Sequence, residues 1–162
     1  MPHLIALLAV SIAMAAGLQT PPAAPATPPT RVLFLCPHGA AKSVLASTYF
    51  KRRAEERGLR VRVDAAGTEP DAAVSPAVAN LLRANGYAPP TAAPRKVTAD
   101  DVIASDLVIS LGCDLKAYPV KPGALREWNV PGPGENLPAA DAAIREKVDA
   151  LIDELVRAAT SR

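Results

Sequence analysis

Cysteine is scarce in this chain: two residues, Cys36 and Cys113, among 162. Two are too few for a disulfide scaffold. Histidine is equally scarce. His3 and His38 stand far apart, and no Cys/His spacing matches a zinc site, so neither a metal nor another cofactor is expected. Charge of one sign is also missing. Eighteen Lys and Arg face sixteen Asp and Glu, interspersed, for a net +2. Without a basic stripe there is no case for a nucleic-acid partner. Aromatic residues make up only 4%, while apolar residues of all kinds reach 49%, enough to bury the core of one domain of ordinary size.

A more local absence lies at the start. Residues 1–17 contain no Asp, Glu, Lys or Arg, and Leu4 to Ala16 is apolar or small apart from Ser11. The run is shorter than the roughly 20 residues of a spanning helix. Ala13-Met14-Ala15 offers the small-x-small pattern read by signal peptidase. Residues 1–17 are therefore expected to be a signal peptide, with export to the periplasm or medium and no membrane attachment after cleavage. The start carries only the α-amino group and His3 as positive charge, and a membrane anchor is the competing reading. Residues 18–30 follow as a Pro/Ala-rich linker, with five prolines between Gln19 and Thr30. Such a stretch stays extended and solvated. The folded domain is expected over 31–162.

Within it, Val32–Leu35 is apolar on both sides, as in a central parallel strand. Ser43–Arg57 carries Val44, Leu45, Tyr49 and Phe50 on one side of a helix that Gly58 stops. Leu59–Ala65 alternates apolar and charged residues, the pattern of an edge strand, and Ala66-Gly67-Thr68 turns the chain. Ser75-Pro76 opens a helix ended by Gly86. Ala88–Arg95 is a Pro-rich loop. Thr98 with Asp101 forms a capping box for a short helix. Leu107–Leu111 is another buried strand, and 114–137 reads as a long loop. Ile144, Val148, Leu151, Leu155 and Ala159 line one face of a final helix over Ala140–Ala159. The order β-α-β-α-α-β-loop-α predicts a doubly wound α/β domain, a mainly parallel sheet with helices on both faces. Ligands bind such sheets at the carboxyl ends of the strands, at the switch point.

Cys36 falls at that place. A buried strand leads into it, a loop of small residues follows (Pro37, His38, Gly39, Ala40, Ala41), then Lys42, Ser43 and a helix. Strand, tight loop and helix N-terminus together present backbone N–H groups to an anion. A thiol there sits where the dipole and amides favour its nucleophilic form. Burial as a core cysteine is the competing reading, but a strand end feeding a Gly/Ala loop is the wrong place for packing. Gly39, Ala40 and Ala41 let the backbone approach an oxyanion closely, though any tight turn also needs small residues. Ser43 can act as a helix cap, as a donor to the Cys36 sulfur, or as both.

Cys-x5-Lys-Ser between strand and helix resembles the Cys-x5-Arg-Ser/Thr loop of the low-molecular-weight protein tyrosine phosphatases and their relatives, the thiol-dependent arsenate reductases. The resemblance extends over 31–159 and implies a four-stranded sheet, a Cys36 nucleophile, and a phosphate-like oxyanion or phosphorylated substrate. Ala66-Gly67-Thr68 resembles the family's Ser-Ala-Gly-Thr. Three positions depart from the pattern. Gly39 stands where the family usually has Asn. Lys42 replaces the Arg whose planar fork grips two oxygens; a lysine supplies one compact charge. Trp128-Asn129-Val130-Pro131-Gly132-Pro133 resembles Trp-Asp-x-x-Asp-Pro, with Gly132 where the phosphatases carry their proton-donating Asp. Glu135 is near in sequence but at the wrong spacing. His38, in Cys-x-His, and Cys113, in Gly-Cys-Asp after the strand, resemble the arsenate reductase branch.

Three functions compete on these residues. The first is an exported phosphatase-like enzyme in which Cys36 attacks phosphorus, impaired by Lys42 and Gly132. The second is a non-catalytic binder of phosphate or phosphoprotein, a pseudophosphatase. The third is an arsenate reductase using an external thiol, since two cysteines exclude an internal three-cysteine relay. Export conflicts with that third reading, because the cytoplasmic thiol pool is absent outside. For Cys113 itself, packing at a strand end, a redox partnership with Cys36 and a Cys36–Cys113 disulfide all remain open.

Overall fold

The computed structural model describes residues 28–161. The expected signal peptide and most of the expected linker lie outside the described residues. Strand β1 (Thr30–Cys36) is followed by helix α1 (Lys42–Glu56), β2 (Val61–Gly67), α2 (Pro76–Ala84), α3 (Ala99–Ala104), β3 (Leu107–Ser110), β4 (Leu125–Glu127) and α4 (Leu137–Thr160). The strands form one sheet in the order β2-β1-β3-β4, and every pairing is parallel.

β1 is central because its sequence is apolar on both faces. Val32, Phe34 and Cys36 join the core formed with α1, α2 and α4, which includes Phe50, Leu82, Ile144 and Val148. Leu33 and Leu35 point to the opposite face, against Val97, Val102 of α3, Val108 and Leu115. The two layers are unequal: three helices cover one face, and one short helix plus loops cover the other. Phe34 has no exposed surface and touches both Phe50 and the edge of Trp128.

The expected edge strand is at the edge, paired only with β1 within the sheet. Its range moves two residues along. Ala66 and Gly67, expected to turn the chain, are its last two residues and pair with Leu35 and Cys36. The stretch 114–137, expected as loop, contains β4. Three residues show no periodicity to read. What makes them a strand is the long-range pairing of Leu125, Arg126 and Glu127 with Val108, Ile109 and Ser110. The last helix begins at Leu137, three residues early, because Asn136 caps it by accepting from the Ala139 N–H at 3.0 Å. The Thr98–Asp101 capping box is present with both reciprocal bonds. α1 has Ala41 as its cap residue, with no side-chain bond. Ser43 is therefore inside the helix, and its hydroxyl is spent elsewhere.

The chain winds outward from β1 to β2, then crosses back to β3 on the other side. The direction reverses between β1 and β3, and Leu111 N–H donates to Leu35 C=O at 2.7 Å across that boundary. Cys36 ends β1 at this switch point.

Candidate active site

The site is built on the end of β1. Cys36 is 3% exposed, and Ser43 is fully buried beneath it. Ser43 Oγ lies 3.2 Å from Cys36 Sγ, and Ser43 N–H donates to the same sulfur at 3.5 Å. A buried serine inside the first turn of a helix must bond something. Here its hydroxyl oxygen accepts from the Cys36 thiol and its N–H donates to the sulfur; once the thiol is ionised, the hydroxyl can turn and donate as well.

The loop between them is held from outside. Pro37 C=O accepts from Glu69 N–H at 2.8 Å, His38 C=O from Asp71 N–H at 3.0 Å, and Ala40 C=O from Ser75 N–H at 3.0 Å. The segment 69–75 thus straps the loop by its carbonyls. Gly39 N–H returns to Cys36 C=O at 3.2 Å. The N–H groups of His38, Ala40, Ala41 and Lys42 have no protein acceptor among the described residues. Unpaired amides in a loop that opens a helix are what an oxyanion needs.

Gly39 has a positive φ of 61°, a conformation that glycine and asparagine reach most readily. Its backbone also crosses the end of β2 at close range. A Cβ on Gly39 would stand 2.9 Å from Gly67 N, and one on Gly67 would stand 2.6 Å from Gly39 N. Gly67 is thus part of the site's frame. Its only sign in the sequence was an Ala-Gly-Thr read as a turn.

The side chains at the rim are placed differently. His38 is exposed, and its Nδ1 pairs with Asp71 Oδ1 at 3.3 Å, so only its backbone belongs to the loop. Lys42 is half-buried and reaches over to the end of β3. Its Nζ lies 3.3 Å from where a Cβ on Gly112 would stand. Cys113 is the next residue. Ser110 Oγ anchors it by accepting from its N–H at 3.2 Å. Burial pushes the Cys113 thiol up to about 11, and the nearby Cys36 adds to this. A Thr68 hydrogen bond and the Lys42 charge oppose it. The two cysteines therefore flank one site, and both are free thiols in this structure. A thiol held that high is protonated near neutral pH and is a poor attacking group.

Trp128 ties the late loop to the same place. Its N–H donates to Ser110 C=O at 2.8 Å, its ring packs edge-on against Phe34, and Val130 is buried in the core that contains Cys36. Gly132 follows, with no side chain of its own. A cavity of about 600 Å³ lies behind the loop rather than over Cys36. It runs between α1, β2 and the Pro-rich 86–95 segment, and Gly39, Ser47, Val63 and Tyr87 are among its walls.

A family model described as low molecular weight phosphotyrosine protein phosphatase matches residues 31–121. A thioredoxin-dependent arsenate reductase from Corynebacterium glutamicum is 32% identical, with a TM-score of 0.64 over 85% of this chain and 65% of that one. This chain therefore spans just under two thirds of that protein. A putative arsenate reductase from Halobacterium salinarum is 24% identical over 128 residues, 78% of this chain and 90% of its own. A low molecular weight phosphotyrosine phosphatase from Vibrio cholerae O395 has the same fold, with a TM-score of 0.70 at 21% identity, over 78% of this chain and 96% of that one.

Proposed function

The chain belongs to the low molecular weight phosphotyrosine protein phosphatase family, and from that premise we propose that it is a thiol-dependent hydrolase of phosphate monoesters. The observation that carries this reading is the Cys36 sulfur, bonded to the Ser43 hydroxyl and met by the Ser43 N–H, at the base of a loop with four free amides. The phosphoryl oxygens bind to the N–H groups of His38, Ala40, Ala41 and Lys42. Cys36 Sγ attacks phosphorus, an S–P bond forms, and the ester oxygen leaves with the bonding pair. Water then attacks phosphorus, the S–P bond breaks towards sulfur, and inorganic phosphate departs.

Lys42 sets the rate. Its single charge offsets part of the developing negative charge without the two-pronged grip of an arginine. Losing one preorganised donor costs on the order of 10²–10³ in rate, so turnover is slow but present. The test is hydrolysis of p-nitrophenyl phosphate by the full chain under reductant. Turnover that vanishes in Cys36→Ser supports the reading. Turnover equal in both proteins refutes it.

A second reading has its own support. The chain is 32% identical to the C. glutamicum arsenate reductase, and Cys113 flanks Cys36. Arsenate would take the same loop, and Cys36 would form the arseno-thiol adduct. With Cys113 held protonated, an external thiol would have to resolve it. Arsenite production that depends on added thiol and on Cys36 would decide for this reading. The charge-free apolar run 4–16 supports export of the protein, a separate proposal tested by fractionating cells that express the full chain.

A further inference from the structure

The free amides of the loop belong to peptide planes, and the 69–75 strap grips some of those planes from behind. Every peptide bond among the described residues is trans. In a trans peptide the C=O of one residue and the N–H of the next point in opposite directions. A carbonyl held by the strap therefore turns the following N–H away from it. Glu69 N–H holds Pro37 C=O at 2.8 Å, which aims the N–H of His38. Ser75 N–H holds Ala40 C=O at 3.0 Å, which aims the N–H of Ala41. Leu45 N–H does the same for Lys42 from within α1, holding Ala41 C=O at 2.9 Å. Asp71 N–H is different. It holds His38 C=O at 3.0 Å, and the next N–H is that of Gly39, already spent on Cys36 C=O. The strap's own packing does not explain its course, because Glu69, Asp71, Ala72 and Ala73 are exposed. Ser75 stands at the cap position of α2, yet its side chain makes no capping bond. What these residues give the loop is main-chain N–H.

We propose that the strap is part of the anion site: Glu69 and Ser75 are positioning residues whose main-chain N–H groups fix the direction of the His38 and Ala41 amides before an oxyanion arrives. The inference rests on the loop's binding an oxyanion, which the hydrolase and reductase readings share. A peptide already held is one that the anion need not turn. Affinity then follows the fraction of loops in which the amide is already aimed. No side chain carries the role, so no motif at 69 or 75 announces it. Asp71 braces the same loop without aiming a free amide, which makes it the internal control.

The test replaces single N–H groups by ester oxygens, introduced into the full chain as α-hydroxy acids by nonsense suppression. The ester at 75 is made on Ser75→Ala, that at 69 on Glu69→Ala and that at 71 on Asp71→Ala. Each is compared with the same substitution carrying its ordinary amide. Isothermal titration with inorganic phosphate under reductant reads the affinity, and thermal unfolding checks that each variant folds. The esters at 69 and 75 are expected to weaken phosphate binding by roughly three- to tenfold against their amide controls. The ester at 71 removes an equivalent bond from the same strap and is expected to change the affinity by less than about twofold, because the peptide it releases carries no free amide. A second readout needs no variant. Phosphate added to the unsubstituted chain should move the amide-proton resonances of His38 and Ala41 further than that of Gly39. Equal weakening by all three esters, or by none, would overturn the strap's role while leaving anion binding intact, and so would a Gly39 shift as large as the other two. No phosphate binding by the parent would overturn the anion-binding loop and this inference with it.

Discussion

The floor and the rim of this site are made in different ways. The floor is backbone and packing: Cys36 ending β1, Ser43 beneath it, carbonyls strapped by 69–75, and Gly39 crossing Gly67. The rim is exposed or half-buried side chains: Lys42, His38 and Cys113. A floor cannot change piecemeal, because each part fixes the next: a Cβ on Gly67 would strike the loop at three atoms. A rim side chain can be exchanged without moving the backbone, so chemistry at the rim can change while the fold stands.

The comparison breaks first at Cys36. Cys36→Ser is expected to remove turnover by at least about 10⁴-fold, since it deletes the nucleophile on which the remaining groups act. An ester-hydrolysis assay beside thermal unfolding should show activity lost and stability kept. The rim answers in the other direction. Lys42→Arg is expected to raise kcat by roughly 10² through two-pronged binding of the transferring group. A steady-state assay that finds no gain would mean that Lys42 does not face the phosphoryl group.

Gly67→Ala tests the frame. Its Cβ would meet backbone atoms at 2.6 to 2.9 Å, which cannot swing aside. A loss of about 1–3 kcal/mol in urea unfolding is expected, with activity falling too. Cys113 gives a pH signature. Its pKa is about 11 in the fold and 9.0 ordinarily, so between those values the unfolded chain releases its proton first. Stability therefore declines as pH rises from about 9 to about 11. Cys113→Ser is expected to flatten that part of the curve, measured as the difference in melting temperature between the two proteins. The smallest effect is expected from His38→Ala, below about threefold in kcat, because its exposed ring pairs with Asp71 and only its backbone serves the loop.

The same division decides what could be read from the chain. Elements that carry their own signal were legible: the doubly apolar β1, the Thr98–Asp101 box, Gly58 and Gly86 as stops, and the i, i+4 face of α4. The strand–loop–helix passage was legible too, because a thiol, small residues and a serine follow one another within eight positions. Two features depend on contacts between distant residues and left little local trace. β4 is a strand only through its pairing with β3. Gly67 matters only because Gly39 passes over it. Of the two roles read for Ser43, cap or partner of the sulfur, the cap position falls to Ala41 and the hydroxyl bonds with Cys36 Sγ.

The most direct test of the account is whether the substrate's phosphorus passes through Cys36. The full chain would be quenched in acid during turnover of p-nitrophenyl phosphate, then digested and examined by mass spectrometry. A phosphoryl group on the peptide carrying Cys36, absent from Cys36→Ser, is the predicted result. Turnover with Cys36 left unmodified would contradict the claim that an intact floor still performs the transfer.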